Sequence, residues 1–213
     1  MSAMIRVLLA DDHAAIRSGL ALMLGAAEGI EVVGEAGDGN AAVELAGRLR
    51  PDAVLMDVRM PGLDGIAATA RILAEGHAAV LMLTTFDLDS YVYGALRAGA
   101  SGFLLKSVDG ARLADAVRTV AAGEAIIEPA ITKRLLSAFA TSGPPEAPDW
   151  LDALTERERD VLSCLGKGYS NAQISRELYV AQATVKTHVS SLLTKLGLSS
   201  RVQAAIRARE AGL

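Results

Sequence analysis

The sequence has one cysteine, few aromatic residues and no long apolar stretch. Cys164 is the single cysteine among 213 residues, which excludes an internal disulfide framework and a multi-cysteine zinc site and favours a reducing compartment. Aromatic residues make up 4% of the chain, so the core must consist mainly of aliphatic side chains. No run approaches the ~18 apolar residues of a membrane-spanning helix, and no signal peptide is recognised. We therefore expect a soluble, cytoplasmic protein.

Charge is distributed unevenly along the chain. The whole sequence carries 21 Lys and Arg against 25 Asp and Glu, a net charge of −4 that by itself argues mildly against nucleic-acid binding. Residues 1–149 hold 12 basic and 19 acidic side chains, a net charge of −7. Residues 150–213 hold 9 basic and 6 acidic side chains, a net charge of +3. The average conceals an acidic part and a basic part.

Apolar runs alternate with helical patterns through residue 121. The pattern predicts strands at residues 5–10, 30–33, 53–56, 79–84 and 102–105. It predicts helices at residues 14–24, 40–49, 65–74, 90–98 and 110–121. Nearly continuous apolar strands that alternate with helices indicate an α/β doubly wound, five-stranded parallel sheet of flavodoxin-like type. We take residues 1–123 as this domain.

The pattern changes after Gly123. Residues 129–140 favour a helix that begins at a proline, and residues 141–149 read TSGPPEAPD, a composition typical of a semi-rigid linker. Residues 124–149 are therefore predicted to form a connecting helix and a proline-rich linker. Residues 150–213 are predicted to form a small all-α domain, with four helices at residues 155–166, 170–178, 182–196 and 199–211.

Polar side chains follow the predicted strands of the α/β domain where each strand ends. They are Asp11, Asp12, Asp57, Thr84 and Lys106. Ligands bind beyond the carboxyl ends of parallel strands, and neighbouring strands lie ~4.8 Å apart, so these side chains can share one pocket. An all-oxygen carboxylate set favours Mg²⁺, and a carboxylate beside a metal, a lysine and a hydroxyl suits phosphoryl transfer to aspartate. The alternative is that Asp11 and Asp12 only cap the next helix.

Residues 4–123 resemble the receiver domain of bacterial two-component response regulators. The matching segments are LLADDH (8–13), MDVRMPGLDG (56–65), LTTFD (83–87) and GASGFLLK (99–106). The resemblance implies that Asp57 is the phospho-acceptor. It also implies that Mg²⁺ is held by Asp11, Asp12, Asp57 and the backbone carbonyl of Arg59.

The same resemblance implies roles for the other pocket residues. Lys106 would bind the phosphoryl group, Thr84 rather than Thr85 would be the switch hydroxyl, and Phe103 would be the switch aromatic residue. A sensor histidine kinase would donate the phosphoryl group, and the domain would catalyse only its own phosphorylation and dephosphorylation. His13 is expected to face solvent at a helix start, and Asp64 and Asp87 are expected to be helix caps.

The C-terminal helices have helix-turn-helix spacing. Thr155 and Glu158 predict a capping box at the first helix, and a turn near residues 179–181 separates the second helix from the third. The buried face of the third helix is predicted from apolar residues three and four apart, which are Val185, Val189, Leu192, Leu193 and Leu196. Spacing alone is equally compatible with a generic helical bundle.

Residues 150–213 also resemble the DNA-binding domain of the NarL/LuxR group, through LTERERDVLSCLGKGYSNAQISRELYVAQATVKTHVSSLLTKLGLSSR. The resemblance implies that residues 182–196 are the recognition helix on double-stranded promoter half-sites, and that the last helix pairs two domains. The implied base readers are Lys186, Thr187 and Ser190. The implied backbone contacts are Ser170, Asn171, Thr184, Ser191 and Arg201.

Two departures from this group affect the recognition helix, and Cys164 is a further residue to interpret. Ala181 and Gln182 replace the usual Ser and Glu, so the helix is expected to lack a side-chain cap, at a cost of ~0.5–2 kcal/mol. Ser190 stands where some members have Lys, so weaker DNA binding is expected. Cys164 is expected to be a small core residue.

Both resemblances together imply a transcription regulator that is phosphorylated on Asp57, dimerises and binds DNA. One alternative is an orphan regulator that works without phosphorylation, although the complete pocket argues against it. Another is an Mg²⁺-dependent aspartyl phosphohydrolase. Such enzymes commonly place a general acid two residues after the nucleophile, where this chain has Arg59, and no substrate-binding cap is visible.

Overall fold

The structure is a computed structural model that describes residues 4–76, 78–84, 94–127 and 149–213. The chain divides into two compact units, Met1–Leu135 and Leu136–Leu213. The helix predicted at residues 129–140, almost all of the linker, Thr85 and Asp87 lie outside the described residues. Of the helix predicted at residues 90–98, residues 94–97 are described as helical. No helix within the described ranges has the length and apolar character needed to cross a membrane.

The first unit is built on a parallel sheet with the strand order β2-β1-β3-β4-β5-β6. The strands are β1 Ile5–Ala10, β2 Ile30–Ala36, β3 Ala53–Asp57, β4 Ala79–Thr84, β5 Gly102–Leu105 and β6 Ile126–Ile127. The five predicted strands are confirmed. The two-residue strand β6 extends the sheet beyond β5 and was not predicted, because two residues are too few to show a pattern.

Four helices whose two ends are both described flank this sheet, in addition to the helical residues 94–97. They are α1 Ala14–Gly25, α2 Gly39–Leu49, α3 Gly65–Ala74 and α4 Gly110–Ala121. Three of them begin at an aspartate whose side chain accepts a backbone N–H from the first turn: Asp38, Asp64 and Asp109. Such caps satisfy N–H groups that have no partner inside the helix. The prediction that Asp64 is a helix cap is confirmed.

The core of the first unit is aliphatic, as the low aromatic content predicts. A cluster of buried Leu, Val, Ile and Ala side chains joins the sheet to α1 and α4. All five residues of β3 are buried, because helices cover both faces of the sheet. Phe103 on β5 is the one aromatic residue in the buried core that the structure describes.

The second unit is entirely helical over its described residues. A short 3-10 helix, Asp149–Ala153, precedes α5 Glu156–Gly166, α6 Asn171–Glu177, α7 Gln182–Leu196 and α8 Arg201–Glu210. Thr155 and Glu158 form the predicted capping box at the start of α5. The predicted buried face of α7 is confirmed, with its five apolar residues either in the core or packed against it. Cys164 is 3% exposed in the same core, and burial raises the pKa of its thiol.

The start of α3 requires a glycine. A Cβ atom at Gly65 would lie 1.8 Å from the backbone oxygen of Asp57, whereas one at Gly47 in α2 would meet only Glu75 Oε2 at an ordinary 3.6 Å. We predict that Gly65→Ala lowers the free energy of unfolding of the first unit by about 2 kcal/mol or more. Gly47→Ala should raise it by about 0.5–1 kcal/mol, because alanine favours the helix interior.

Urea unfolding followed by circular dichroism measures both changes. A Gly65→Ala variant as stable as the wild type would contradict the close approach of α3 to the end of β3.

Candidate functional site

The ends of β1, β3 and β5 bring three charged side chains into contact. Lys106, directly after β5, places Nζ 2.6 Å from Asp11 Oδ2 and 2.9 Å from Asp57 Oδ2. The strand β4 lies between β3 and β5, and the backbone carbonyl of its last residue, Thr84, accepts a hydrogen bond at 2.8 Å from the backbone N–H of Lys106. The structure thus gathers four of the five predicted pocket residues at one edge of the sheet.

These groups are almost completely buried. Asp11 is 1% exposed, Asp57 6% and Thr84 3%. Burial raises the pKa of Asp57 above its ordinary value, and the negative charge of Asp11 adds to this effect, while Lys106 opposes it. Burial on its own would lower the pKa of Lys106, but its contacts with Asp11 and Asp57 raise it. The lysine therefore stays protonated and stabilises the two carboxylates.

Asp12 and His13 form the more exposed side of the pocket. His13 Nδ1 lies 2.6 Å from Asp12 Oδ1, and the His13 side chain is 66% exposed, as the sequence predicts. The helix α1 begins after His13 without any side-chain cap, so the alternative in which Asp11 or Asp12 caps it is wrong. Asp11 Oδ1 instead accepts the backbone N–H of His13 at 2.9 Å.

The oxygen atoms of the pocket fit a hard divalent cation. Asp11, Asp12 and His13 each offer a ligand atom within 4.8 Å of the others. Asp11 Oδ2 is the one buried side-chain polar atom in the described part of the chain that lacks a well-aligned hydrogen bond. Lys106 supplies one positive charge 2.6 Å from this oxygen, and carboxylate oxygens are also the ligands that suit Mg²⁺. Arg59, the predicted source of a carbonyl ligand, has an exposed side chain just after Asp57.

Arg17 supports the pocket from α1, and sequence reasoning missed it. Its Nη1 donates to the backbone carbonyl of Asp11 at 2.6 Å, and its Nε donates to Glu35 Oε2 at 3.4 Å. It thereby fixes the end of β1 against β2. Nothing in the spacing of α1 distinguishes this arginine from one on a solvated helix face.

The two predicted switch residues lie on neighbouring strands. Thr84 is the last residue of β4 and Phe103 the second residue of β5, where it is paired with Met82. Phe103 is fully buried in this structure. Thr85 lies outside the described residues, so the choice of Thr84 rests on the sequence and on its place at the strand end.

In the second unit, the three predicted base readers lie on one open groove along α7. Lys186, Thr187 and Ser190 are exposed and line the groove together with Ser191, Thr194 and Lys195. Thr184 is also exposed, one turn nearer the start of the helix. The helix begins at Ala181 with no side-chain cap, as predicted.

Three predicted backbone contacts have internal roles in this unit. Ser170 caps α6 and forms a capping box with Gln173. Arg201 donates to Asn171 Oδ1 at 3.0 Å and to the carbonyl of Tyr169 at 2.5 Å. Asn171 is 4% exposed and Arg201 8%. Arg201 and Asn171 therefore join α8 to the start of α6.

Comparisons with known proteins match a known domain in each unit. Residues 7–118 match the response regulator receiver domain, and residues 152–208 match the bacterial regulatory proteins of the luxR family. The chain is similar to the transcriptional regulatory protein LiaR of Bacillus subtilis, with 44% identity over 206 residues that cover 96% of this chain and 97% of that protein. It is 40% identical over 205 residues to the response regulator protein VraR of Staphylococcus aureus, covering 96% of each.

A solved structure gives the same result. The response regulator ChrA of a heme-sensing two-component system matches with 37% identity, coverage of 98% of both chains and a TM-score of 0.56. The matched length therefore includes both units of the fold.

Removal of the lysine should make stability depend on pH. We predict that Lys106→Met lowers the free energy of unfolding of the first unit by about 3 kcal/mol near neutral pH, because two buried carboxylates lose their cation. Lys106 holds down the pKa of Asp57, so this pKa should rise further in the variant. A carboxyl group with a raised native pKa contributes stability below its unfolded pKa of about 4, and this contribution is lost as the pH rises through the native value.

The deficit of the variant relative to the wild type should therefore be larger at about pH 7.5 than at about pH 5. Urea unfolding in the presence of a chelator measures it, with Lys167→Met, an exposed lysine of the other unit, as the control for charge. A deficit that is independent of pH would contradict the role given to Lys106.

Proposed function

The chain belongs to the two-component response regulators of the NarL/LuxR group, and from this we propose that a sensor histidine kinase switches it by phosphorylating Asp57. The family makes it a transcriptional regulator with a receiver domain and a LuxR-type DNA-binding domain. The observation that carries the proposal is the contact of Lys106 with Asp57 and Asp11 at the carboxyl edge of the sheet. A DNA-bound regulator with one buried thiol suits the cytoplasm.

Asp57 is the nucleophile in this proposal. One of its carboxylate oxygens attacks the phosphorus of the donor phosphohistidine, the new O–P bond forms, and the N–P bond to the histidine ring breaks. The electron pair of that bond stays on the ring nitrogen, which takes up a proton. Lys106 is already 2.9 Å from Asp57 Oδ2, so its ammonium group is placed to neutralise phosphoryl oxygens. Because the pocket belongs to the phospho-acceptor, the domain catalyses only its own phosphorylation and dephosphorylation.

Mg²⁺ is the proposed cofactor. Asp11, Asp12, Asp57 and the carbonyl of Arg59 would hold it, and it would supply positive charge beside the phosphoryl oxygens. Support comes from the neighbouring ligand atoms of Asp11, Asp12 and His13, of which the two carboxylates are hard oxygen donors, and from Asp57, which shares Lys106 with Asp11.

Phosphorylation changes the charge balance of the pocket. The phosphoryl group carries roughly −1.5 to −2 charges and replaces the single charge of the Asp57 carboxylate, so the pocket gains roughly −0.5 to −1 charge where one ammonium group now serves two carboxylates. Thr84 lies at the end of β4 and Phe103 within β5, and we propose that they carry the change to the face formed by the helix predicted at residues 90–98, β5 and α4. Dimerisation of the receiver would then place two copies of α7 on paired DNA half-sites.

The first test of this proposal uses a small acyl phosphate, Mg²⁺ and the full chain. We predict that the wild type gains one phosphoryl group, dimerises more strongly and binds promoter DNA more tightly. Asp57→Asn should lose all three responses, because the amide cannot attack the donor. Asp52→Asn is the matched control, since this exposed carboxylate lies at the opposite end of the same strand and accepts only the N–H of Arg6. Mass spectrometry, sedimentation and DNA binding give the readouts.

Equal responses from the wild type and Asp57→Asn would overturn the switch and favour a regulator that works without phosphorylation. Steady hydrolysis of a phosphate monoester with repeated turnover would instead favour a phosphohydrolase, because turnover of the acyl phosphate already follows from phosphorylation and dephosphorylation of Asp57.

The second test concerns the recognition helix. Lys186 is exposed on the groove of α7, so we predict that Lys186→Gln weakens binding to duplex DNA. If the lysine contacts a phosphate, the slope of log K against log salt concentration should fall by about 1 in magnitude. If it reads a base edge, affinity should fall mainly for the preferred sequence. Lys167→Gln removes the same charge from an exposed site outside the groove and serves as the control.

A Lys186→Gln variant that binds every duplex as the wild type does would contradict the placement of α7 on DNA.

A further inference from the structure

A buried glutamate lies directly beneath the groove of α7. Glu158 is 4% exposed at the start of α5, yet its carboxylate contacts two residues of α7. Ser191 Oγ donates to Glu158 Oε1 at 2.9 Å, and Lys195 Nζ donates to Oε2 at 2.7 Å. Thr155 donates its backbone N–H and its hydroxyl to the same Oε2, each at 2.9 Å. The carboxylate therefore accepts hydrogen bonds from a helix cap and from the DNA-facing helix at once.

The charge of Glu158 persists at physiological pH. The hydrogen bond from Lys195, followed by those from Thr155, lowers the pKa of Glu158 to about 2 in spite of its burial. The Lys195 side chain is 39% exposed, so its ammonium group is shared between the carboxylate and solvent. Lys195 also lines the groove together with the predicted base readers. A negative charge thus lies 2.7 Å behind a cation on the surface that meets DNA.

We propose that Glu158 limits the strength of DNA binding by partly neutralising Lys195 on the recognition helix. This inference rests on the proposed binding of DNA by α7. A lysine gains affinity for DNA by releasing counterions from a phosphate, and a lysine held by a carboxylate gives up part of that gain. Glu158 acts through another residue, so it is a positioning residue and does not itself contact DNA.

The isosteric variant Glu158→Gln separates charge from packing. Glutamine at this position of a capping box can still accept the N–H of Thr155 with its one carbonyl oxygen, and its amide N–H₂, in the place of Oε1, can donate to the hydroxyl oxygen of Ser191. Lys195 is partly exposed and can turn towards solvent or phosphate, so the variant leaves no buried cation without a partner. Circular dichroism should show the helix content of the wild type.

The experiment measures the affinity of the full chain for a duplex of mixed sequence by fluorescence anisotropy over a range of salt. A duplex of mixed sequence suffices because the phosphate contribution does not depend on sequence. We expect Glu158→Gln to bind more tightly than the wild type at low salt, with a slope of log K against log salt that is steeper by up to about 0.9. That slope corresponds to an extra loss of affinity of about threefold to fourfold between 50 and 200 mM salt.

Matched variants make the result specific. Glu156→Gln, in the same first turn of α5, removes an equal charge from an exposed side chain and should change the slope much less. In a Lys195→Gln background, Glu158→Gln should leave the slope unchanged. Lys195→Gln alone should reduce the slope less than Lys186→Gln does, and this comparison decides the matter if Glu158→Gln does not fold.

Three outcomes would overturn the inference. The first is a slope for Glu158→Gln equal to that of the wild type or of Glu156→Gln. The second is weaker binding with an unchanged slope, which would assign Glu158 to packing alone. The third is an equal loss of slope from Lys195→Gln and Lys186→Gln. A wild type that binds no duplex at low salt would instead overturn the proposed DNA binding itself, and the inference with it.

Discussion

The contact of one ammonium group with two buried carboxylates organises the receiver unit. Asp11 and Asp57 lie in a region of low dielectric, where two negative charges cannot persist side by side without a cation. Lys106 supplies that cation, and it reaches both carboxylates only because β1, β3 and β5 are parallel and end at the same edge. The pocket therefore depends on the strand order.

Much of the fold could be predicted because burial on both faces leaves a clear pattern in the sequence. The strands β3 and β4 are almost fully buried and appear as unbroken apolar runs. The end of β2 was predicted three residues early, because Gly34 and Glu35 interrupt the apolar run. These residues still pair with β1, after a shift of register between Val7 and Leu8. A strand segment that is held by backbone hydrogen bonds needs no apolar side chains, so an apolar pattern in the sequence does not reveal it.

The candidate site, like the fold, was predicted in part and missed in part. The meeting of Asp11, Asp57 and Lys106 follows from the rule that parallel strands end together, so it was predicted. The role of Arg17 was not, because its partner is a backbone carbonyl and any residue offers one. The second role of Glu158 was hidden, because the capping box already explained that residue. The burial of Asn171 and Arg201 depends on how α6 packs against α8, which no local pattern records.

The shared carboxylate of Glu158 restricts how the DNA-binding unit can be redesigned. Its hydrogen bonds connect the first turn of α5 with Ser191 and Lys195, so a change at either position on α7 also disturbs the start of another helix. Lys186, Thr187 and Ser190 have no such connection to Glu158. A redesign of the unit for a new operator can therefore change these three residues without disturbing Glu158. Ser191, Lys195 and Glu158 have to be changed together.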